Sequence, residues 1–253
     1  MFYFSGTGNS KYISGLFCKY MDIDCHSCHS IEEDLDFSRI IGSEEILGFC
    51  YPVYGSRLPR IMREFAIRYT EVLKNKSIII FCSQMIFSGD GARSFTDIFP
   101  KNHFNVIYAE HFFMPNNVNN LFFLSLPNQK KIKKYMTKAD RKMKAVCQNI
   151  KNGIIRKRGF NAFSRALGHV QGSLMPLIEK KTLGAIRINN DCKHCLLCIS
   201  ICPIHNLVHE GGNIVQKNNC TICYRCMNKC PEKAISLYFK TRVKRQYHGI
   251  SSD

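Results

Sequence analysis

Met1-Phe2-Tyr3-Phe4-Ser5-Gly6-Thr7-Gly8-Asn9-Ser10 is the stretch from which the first part of this chain is read. The residues up to Phe4 make a very short apolar strand. Ser5 to Ser10 are small, hydroxylated or amide-bearing, and Lys11 to Tyr20 reads as helix. A strand that ends in such a loop and feeds a helix aims backbone N–H groups, hydroxyls and a helix N-terminus at an anion, which is how a phosphate loop works. Neither the Walker lysine pattern nor Gly-x-Gly-x-x-Gly is present, so ATP and NAD are not the natural ligands. Gly, Ser and Asn are also ordinary turn formers, so the loop on its own is compatible with a plain turn.

Beyond the loop, strand-like and helix-like runs alternate: Ile46 to Val53, Leu58 to Leu73, Ser77 to Cys82, a helix near Ala92 to Phe99, then Val106 to Phe113. That order predicts an α/β fold with a doubly wound parallel sheet, whose ligand lies at the carboxyl ends of the strands. Two of those ends run into suitable loops. Pro52-Val53-Tyr54-Gly55-Ser56 offers a tyrosine for stacking on a flat ring. The loop from Ser83 to Gly91 offers Ser83, Gln84, Ser88, Gly89, Asp90 and Gly91 for ring edges.

The last quarter carries eight of the fourteen cysteines in two copies of one pattern. They are Cys192-x2-Cys195-x2-Cys198-x3-Cys202-Pro203 and Cys220-x2-Cys223-x2-Cys226-x3-Cys230-Pro231, 28 residues apart. Three thiolates at this spacing wrap one face of an iron-sulfur cube, and the fourth, after the longer step, reaches the other cube. The expected sets are Cys192, Cys195, Cys198 and Cys230 for one 4Fe-4S cluster, and Cys220, Cys223, Cys226 and Cys202 for the second. A zinc ribbon would leave the third Cys-x2-Cys step and the Cys-Pro unexplained in both copies. The opening residues have no basic n-region and no apolar signal core, so reduced thiols and a cytoplasmic setting are expected rather than disulfides. Asn213 to Val215 and Ala234 to Tyr238 read as short strands around the motifs.

Taken together, these features resemble the flavodoxin-ferredoxin fusion proteins of anaerobes. The resemblance covers nearly the whole chain. It implies a flavodoxin-like five-stranded sheet followed by a small α+β two-cluster ferredoxin domain. It further implies FMN, with its phosphate on the loop of Ser5, Gly6, Thr7, Gly8, Asn9 and Ser10 and its ring between the Pro52 to Gly55 loop and the Ser83 to Gly91 loop. The expected boundaries are 1–158 for the flavodoxin-like domain, 159–182 for a packed helical connection, 183–240 for the ferredoxin domain and 241–253 for a basic polar tail that frays. The second ring loop lacks the tyrosine-glycine-rich form of many members, and Lys193 and His194 stand where many motifs have glycine.

The formal charge is +17. Between Lys130 and Arg158 there are twelve Lys or Arg and one acid, Asp140. Ile132, Met136, Ala139, Met143, Val146 and Ile150 recur at helical steps, which predicts one buried stripe and a basic outer face. That face reads as a solvated surface, as a docking surface for an acidic redox protein, or as a nucleic-acid stripe; no nucleic-acid motif accompanies it, and none is expected to bind. The apolar runs Ser77 to Cys82 and Leu121 to Leu126 are strand-sized, short of the roughly 18 residues of a membrane span. Cys25-His26-Ser27-Cys28-His29 fits both a c-type haem attachment and a dithiol pattern, and haem attachment is set aside because it implies export. Cys18, Cys50, Cys82 and Cys147 read as small core residues.

The leading expectation is an electron-transfer iron-sulfur flavoprotein, in which FMN bridges one- and two-electron chemistry. Two alternatives stand beside it. One is an FMN-dependent reductase of a small substrate, and the other is a ferredoxin whose flavodoxin-like domain has lost FMN and serves in protein interaction. No catalytic residue is assigned.

Overall fold

The structure, a computed structural model, describes residues 1–120 and 125–250, so part of the run Leu121 to Leu126 lies outside the described residues. The chain divides into two units. The first is Met1–Ser5, Asn9–Met114 and Lys133–Ser173; the second is Gly6–Gly8, Pro115–Ile132 and everything from Leu174 onward.

In the first unit the elements follow as β1 (Phe2–Tyr3), α1 (Asn9–Met21), β2 (His29–Ser30), α2 (Phe37–Ser43), β3 (Ile46–Pro52), α3 (Arg60–Arg68), α4 (Thr70–Leu73), β4 (Ser77–Gln84), α5 (Arg93–Thr96), β5 (Asn105–Phe113), α6 (Gln129–Lys151), β6 (Arg156–Lys157) and α7 (Ala162–Gly172). The strands lie in the order β2-β1-β3-β4-β5-β6, and every neighbouring pair is parallel. An order of 2-1-3-4-5 is the flavodoxin-like doubly wound arrangement. The resemblance implies five strands. The sixth, β6, is a two-residue edge of exposed basic residues that pairs with Tyr108 and Ala109, and it has no apolar alternation to announce it.

β3 and β4 are near-continuous apolar runs because helices cover both faces of a parallel sheet. Leu47 to Tyr51 and Ile78 to Gln84 are buried. Aromatic rings close the core on one side, with Phe2 against Phe37, Phe49 and Phe65, and Phe49 against Phe95 at 4.6 Å between centroids. The run from Leu58 to Leu73 breaks at Tyr69 into α3 and α4, and the helix expected near Ala92 to Phe99 contracts to α5. The buried stripe of α6 forms through Ile132, Ala139, Met143 and Val146, whereas Met136 and Ile150, expected in it, are only partly buried.

The second unit contains α8 (Met175–Thr182), β7 (Ile186–Ile188), α9 (Leu197–Ser200), β8 (Leu207–Glu210), β9 (Asn213–Gln216), α10 (Arg225–Lys229) and β10 (Ile235–Leu237). β7 pairs with β10 and β8 with β9, both antiparallel. The 28-residue cysteine period therefore extends to the backbone. Each half contributes strand, helix and strand, and the first strand of each half pairs with the last strand of the other. Ala185, Ile186, Leu207, Met227, Ile235, Leu237 and Val243 form its core.

The tail does not fray as expected over its described length. Val243 and Tyr247 are buried, Gln246 donates to the carbonyls of Met227 and Cys230, and the Tyr247 N–H donates to Asn228. Two apolar residues four apart supply the anchors, and the basic residues between them face outward.

Candidate functional site

The cysteine motifs sit on a strained backbone that repeats with the same period. His194 and Leu196 in the first motif and Ile222 and Tyr224 in the second all have left-handed φ values, between 48° and 61°. His205 and Lys233, three residues after the last cysteine of each motif, do likewise. None is glycine, and each such residue costs on the order of 1–2 kcal/mol. Alternating right- and left-handed residues turn successive N–H groups toward one point, the concave nest that recurs at phosphate and iron-sulfur sites.

The thiols group across the motifs. Cys202 lines one cavity with Cys220, Cys223 and Cys226. Burial pushes the Cys223 thiol up to about 12, and Cys220 and Cys202 are the cysteines that add to the effect. Burial raises Cys198 to about 11, with further contributions from Cys192, Cys230 and Cys195. Each set thus holds three thiols of one motif and the last of the other. Backbone N–H groups already donate to three of the sulfurs: Asn206 to Cys202 at 3.2 Å, Ile222 to Cys220 at 3.3 Å and Ala234 to Cys230 at 3.4 Å.

Among the described residues, Asp24, Cys25 and His26, all exposed, bring three potential ligand atoms within 4.8 Å of one another.

In the N-terminal loop, Ser5, Thr7 and Ser10 are buried, Gly8 takes a φ of 101° that favours glycine, and α1 starts at Asn9 with no acidic residue in its first turn. The positive end of that helix is therefore not offset by a carboxylate. The Ser10 and Ser83 hydroxyls bond at 2.9 Å, which ties the loop's last residue to the end of β4. Gly6–Gly8, counted with the second unit, are engaged there: Asn117 donates to the Thr7 hydroxyl at 2.9 Å, and Arg225 donates to the Gly6 carbonyl at 3.1 Å.

The two loops expected around a ring differ in character. Pro52, Val53 and Tyr54 are partly exposed and Gly55 is exposed, with Tyr54 and Arg57 closing a tight turn. Ser83, Gln84, Ser88, Gly89, Asp90 and Gly91 are all buried. Gln84 accepts from the Ser88 N–H, Ser88 accepts from the Gly91 N–H, and Gln171 of α7 accepts from the Gly89 N–H at 2.9 Å. Asp90 is paired with Arg57 at 3.2 Å, and burial still pushes its carboxyl upward against that cation. Gly168 of α7 lies so close that a Cβ there would fall 1.7 Å from the Asp90 carboxylate. Nothing in the residue pattern announces this clamp, because its parts come from separate segments.

A second group missed by the pattern lies on β5. Glu110 is fully buried and faces Lys142 at 2.9 Å, Arg158 at 3.4 Å and Arg156 at 3.5 Å. Burial alone would raise its pKa; Lys142 first, then the His111 N–H and Arg158, hold it below the ordinary carboxylate value. The neighbouring His111 is buried, and its Nε2 accepts from the Ala92 N–H at 3.2 Å, which requires a neutral ring. Burial, and then the Arg158 charge, bring its pKa down to about 4.

A base whose folded pKa lies below its unfolded value near 6.5 gives stability that is complete above that value and lost as the pH falls from there toward 4. About 2 kcal/mol should be gone by pH 5. Hydrogen exchange of the β4 and β5 peptides at pH 7 and pH 5, corrected for intrinsic rates, is expected to show this loss. The loss should shrink in His111→Gln, and an unchanged slope in that variant would mean that another group carries the dependence.

No protein-family model matches the chain, and no curated protein matches it. Among solved structures it is similar to a flavodoxin from the domain Archaea, at 12% identity over 59% of this chain and 96% of that one, with a TM-score of 0.39. It is similar to the two-electron reduced flavodoxin of Megasphaera elsdenii, at 20% identity, 56% and 96% coverage and a TM-score of 0.37. A third is general stress protein 14 of Treponema denticola, solved in complex with FMN, at 11% identity, 59% and 96% coverage and a TM-score of 0.42.

Proposed function

We propose that this chain is an iron-sulfur flavoprotein that relays electrons. One 4Fe-4S cluster is held by Cys192, Cys195, Cys198 and Cys230, and the other by Cys202, Cys220, Cys223 and Cys226. FMN is held through its phosphate by the loop from Ser5 to Ser10 and the N-terminus of α1, with Tyr54 beside its ring. When bound, the clusters supply one-electron chemistry, and FMN links it to two-electron chemistry.

The observation that carries this reading is that Cys202 shares a cavity with the three leading cysteines of the other motif. Crossed ligation of this kind belongs to two-cluster ferredoxins. Further support comes from the paired left-handed residues and from the N–H groups already directed at sulfur. The exposed cations of α6, Lys130, Lys131, Lys133, Lys134 and Lys138 among them, favour an acidic redox protein as partner, because opposite charge speeds encounter. No helix among the described residues is long and apolar enough to cross a membrane.

The test is purification without oxygen followed by assay of iron, sulfide and released flavin. About eight irons and eight sulfides with one FMN per chain are expected, since each cube holds four of each. About eight irons without flavin, even after FMN is supplied, would replace the relay with a ferredoxin whose N-terminal unit does not bind FMN. That second reading has its own support in the bonds by which Asn117 and Arg225 already occupy Thr7 and Gly6. Fewer than about four irons would remove both readings.

A further inference from the structure

Neither proposed cofactor site uses the run Arg156-Lys157-Arg158-Gly159 or the helix α7 that follows it. Arg156 and Arg158 stand two residues apart, so at the β6 edge they share a face. Both reach Glu110, where Lys142 already stands, so one carboxylate faces three cations and the cluster holds a surplus of two positive charges. A guanidinium carries several N–H donors, and only part of each set is turned to Glu110; the side chains remain 52% exposed at Arg156 and 32% at Arg158.

Past the arginines the chain turns at Gly159, whose φ of 89° favours glycine. A Cβ there would fall 3.2 Å from the Gly89 carbonyl and from the His111 ring, so glycine lets the chain lie against the loop after β4. Asn161 then caps α7 by accepting from the Ser164 N–H at 2.7 Å, and no acid stands in the first turn of that helix. Between these segments, within the first unit, lies a cavity of about 360 Å³, in the size range of small-molecule sites. Arg156, Lys157, Arg158 and the start of α7 line it together with two partly or largely exposed rings, Phe87 and Phe163, and among the described residues no Asp or Glu does. It shares Ser88 and Gly89 with the loop proposed beside the flavin ring, but no residue of Ser5 to Ser10 or of Pro52 to Gly55 lines it.

We infer that this cavity binds an aromatic phosphate monoester of the nucleoside monophosphate class. A phosphate dianion matches the surplus of two charges, whereas a carboxylate would offset only one. Arginine forks and an uncompensated helix N-terminus are both suited to phosphate oxygens. Phe87 and Phe163 supply ring faces on which a base stacks.

AMP and inorganic phosphate are the probes, titrated into the full chain purified without oxygen, with binding read by calorimetry and located by hydrogen exchange. Both should bind, and AMP about tenfold more tightly, because stacking one base on an aromatic ring contributes about that factor. AMP should protect the peptides that carry Phe87 to Gly89 and Arg156 to Ser164. Phe163→Ala, at a position 73% exposed, should weaken AMP about tenfold and leave phosphate unchanged. Arg156→Gln, which leaves Lys142 and Arg158 on Glu110, should weaken both probes about tenfold. Lys134→Gln, on the exposed face of α6, should change neither. Absence of binding at millimolar probe, or protection confined to the peptide of Ser5 to Ser10, would overturn the inference. So would a loss in Lys134→Gln equal to that in Arg156→Gln, which would reduce the effect to general attraction of anions to a basic chain, or Phe163→Ala that weakens AMP no more than phosphate. Iron and flavin content does not enter this readout, so its result is independent of the proposed electron relay.

Discussion

Replacing Cys202 by alanine is expected to strip the cluster of the second cysteine motif and leave that of the first. Cys202 belongs to the first motif by sequence, but it lines the cavity of Cys220, Cys223 and Cys226. The single variant should retain about four irons per chain. Combinations with a second substitution identify the cluster lost. If Cys202 and Cys223 ligate the same cube, Cys202→Ala with Cys223→Ala should lose no more iron than either change alone. Cys202→Ala with Cys195→Ala should strike both cubes and leave almost none. Strong non-additivity in the first pair and its absence in the second is the signature of a shared site. The reverse pattern, with Cys202 and Cys195 behaving as one unit, would mean that each motif closes its own cluster, and the crossed assignment would fall. Each apo-motif keeps a left-handed, glycine-free backbone without the cube that its N–H groups face, so the loss should also appear as faster hydrogen exchange around His194 to Leu196 or Ile222 to Tyr224.

What could be read from the chain beforehand follows from the range of the interactions. The proposed cluster ligation is written within a dozen residues, because a cube would dictate the steps between thiolates, and the 28-residue repeat carries that spacing into the strands on either side. The parallel sheet was equally legible, since β3, β4 and β5 are apolar enough to need cover on both faces. The interactions that position the loop after β4 were not. Gly168 and Gln171 look like ordinary helix residues, and only the path of α7 brings them to Asp90 and Gly89. The dense positive charge from Lys130 to Arg158 read as one outer face, whereas Lys142, Arg156 and Arg158 turn toward a single buried carboxylate. Glu110 itself was only an interruption in an apolar run.

That carboxylate is expected to be among the costliest side chains to remove from the first unit. Glu110→Gln keeps the shape and can still accept from the His111 N–H, so the change isolates the charge. Removing one partner of a buried ion pair typically costs 3–5 kcal/mol, because the other charge is left uncompensated. Lys142, Arg156 and Arg158 are from a third to a half exposed and can turn toward water, which places the expected loss near the lower end, about 3 kcal/mol. Lys142→Met should cost less, about 1 kcal/mol, because two cations remain to face Glu110. The pH dependence has a definite sign. A carboxylate held below its ordinary value gives stability that is present above the unfolded pKa and lost as the pH falls through the folded one, so this contribution persists into mild acid and disappears below it. Hydrogen exchange of the β5 peptide at pH 7 reads the first effect. The loop from Gln84 to Ala92 should loosen with it, because Arg158 leads through Gly159 into α7, whose Gln171 and Gly168 hold that loop. Glu110→Gln that leaves both segments as protected as before, or Lys142→Met that costs as much as the loss of the carboxylate, would show that the cations are held by solvent and by one another's neighbours rather than by Glu110.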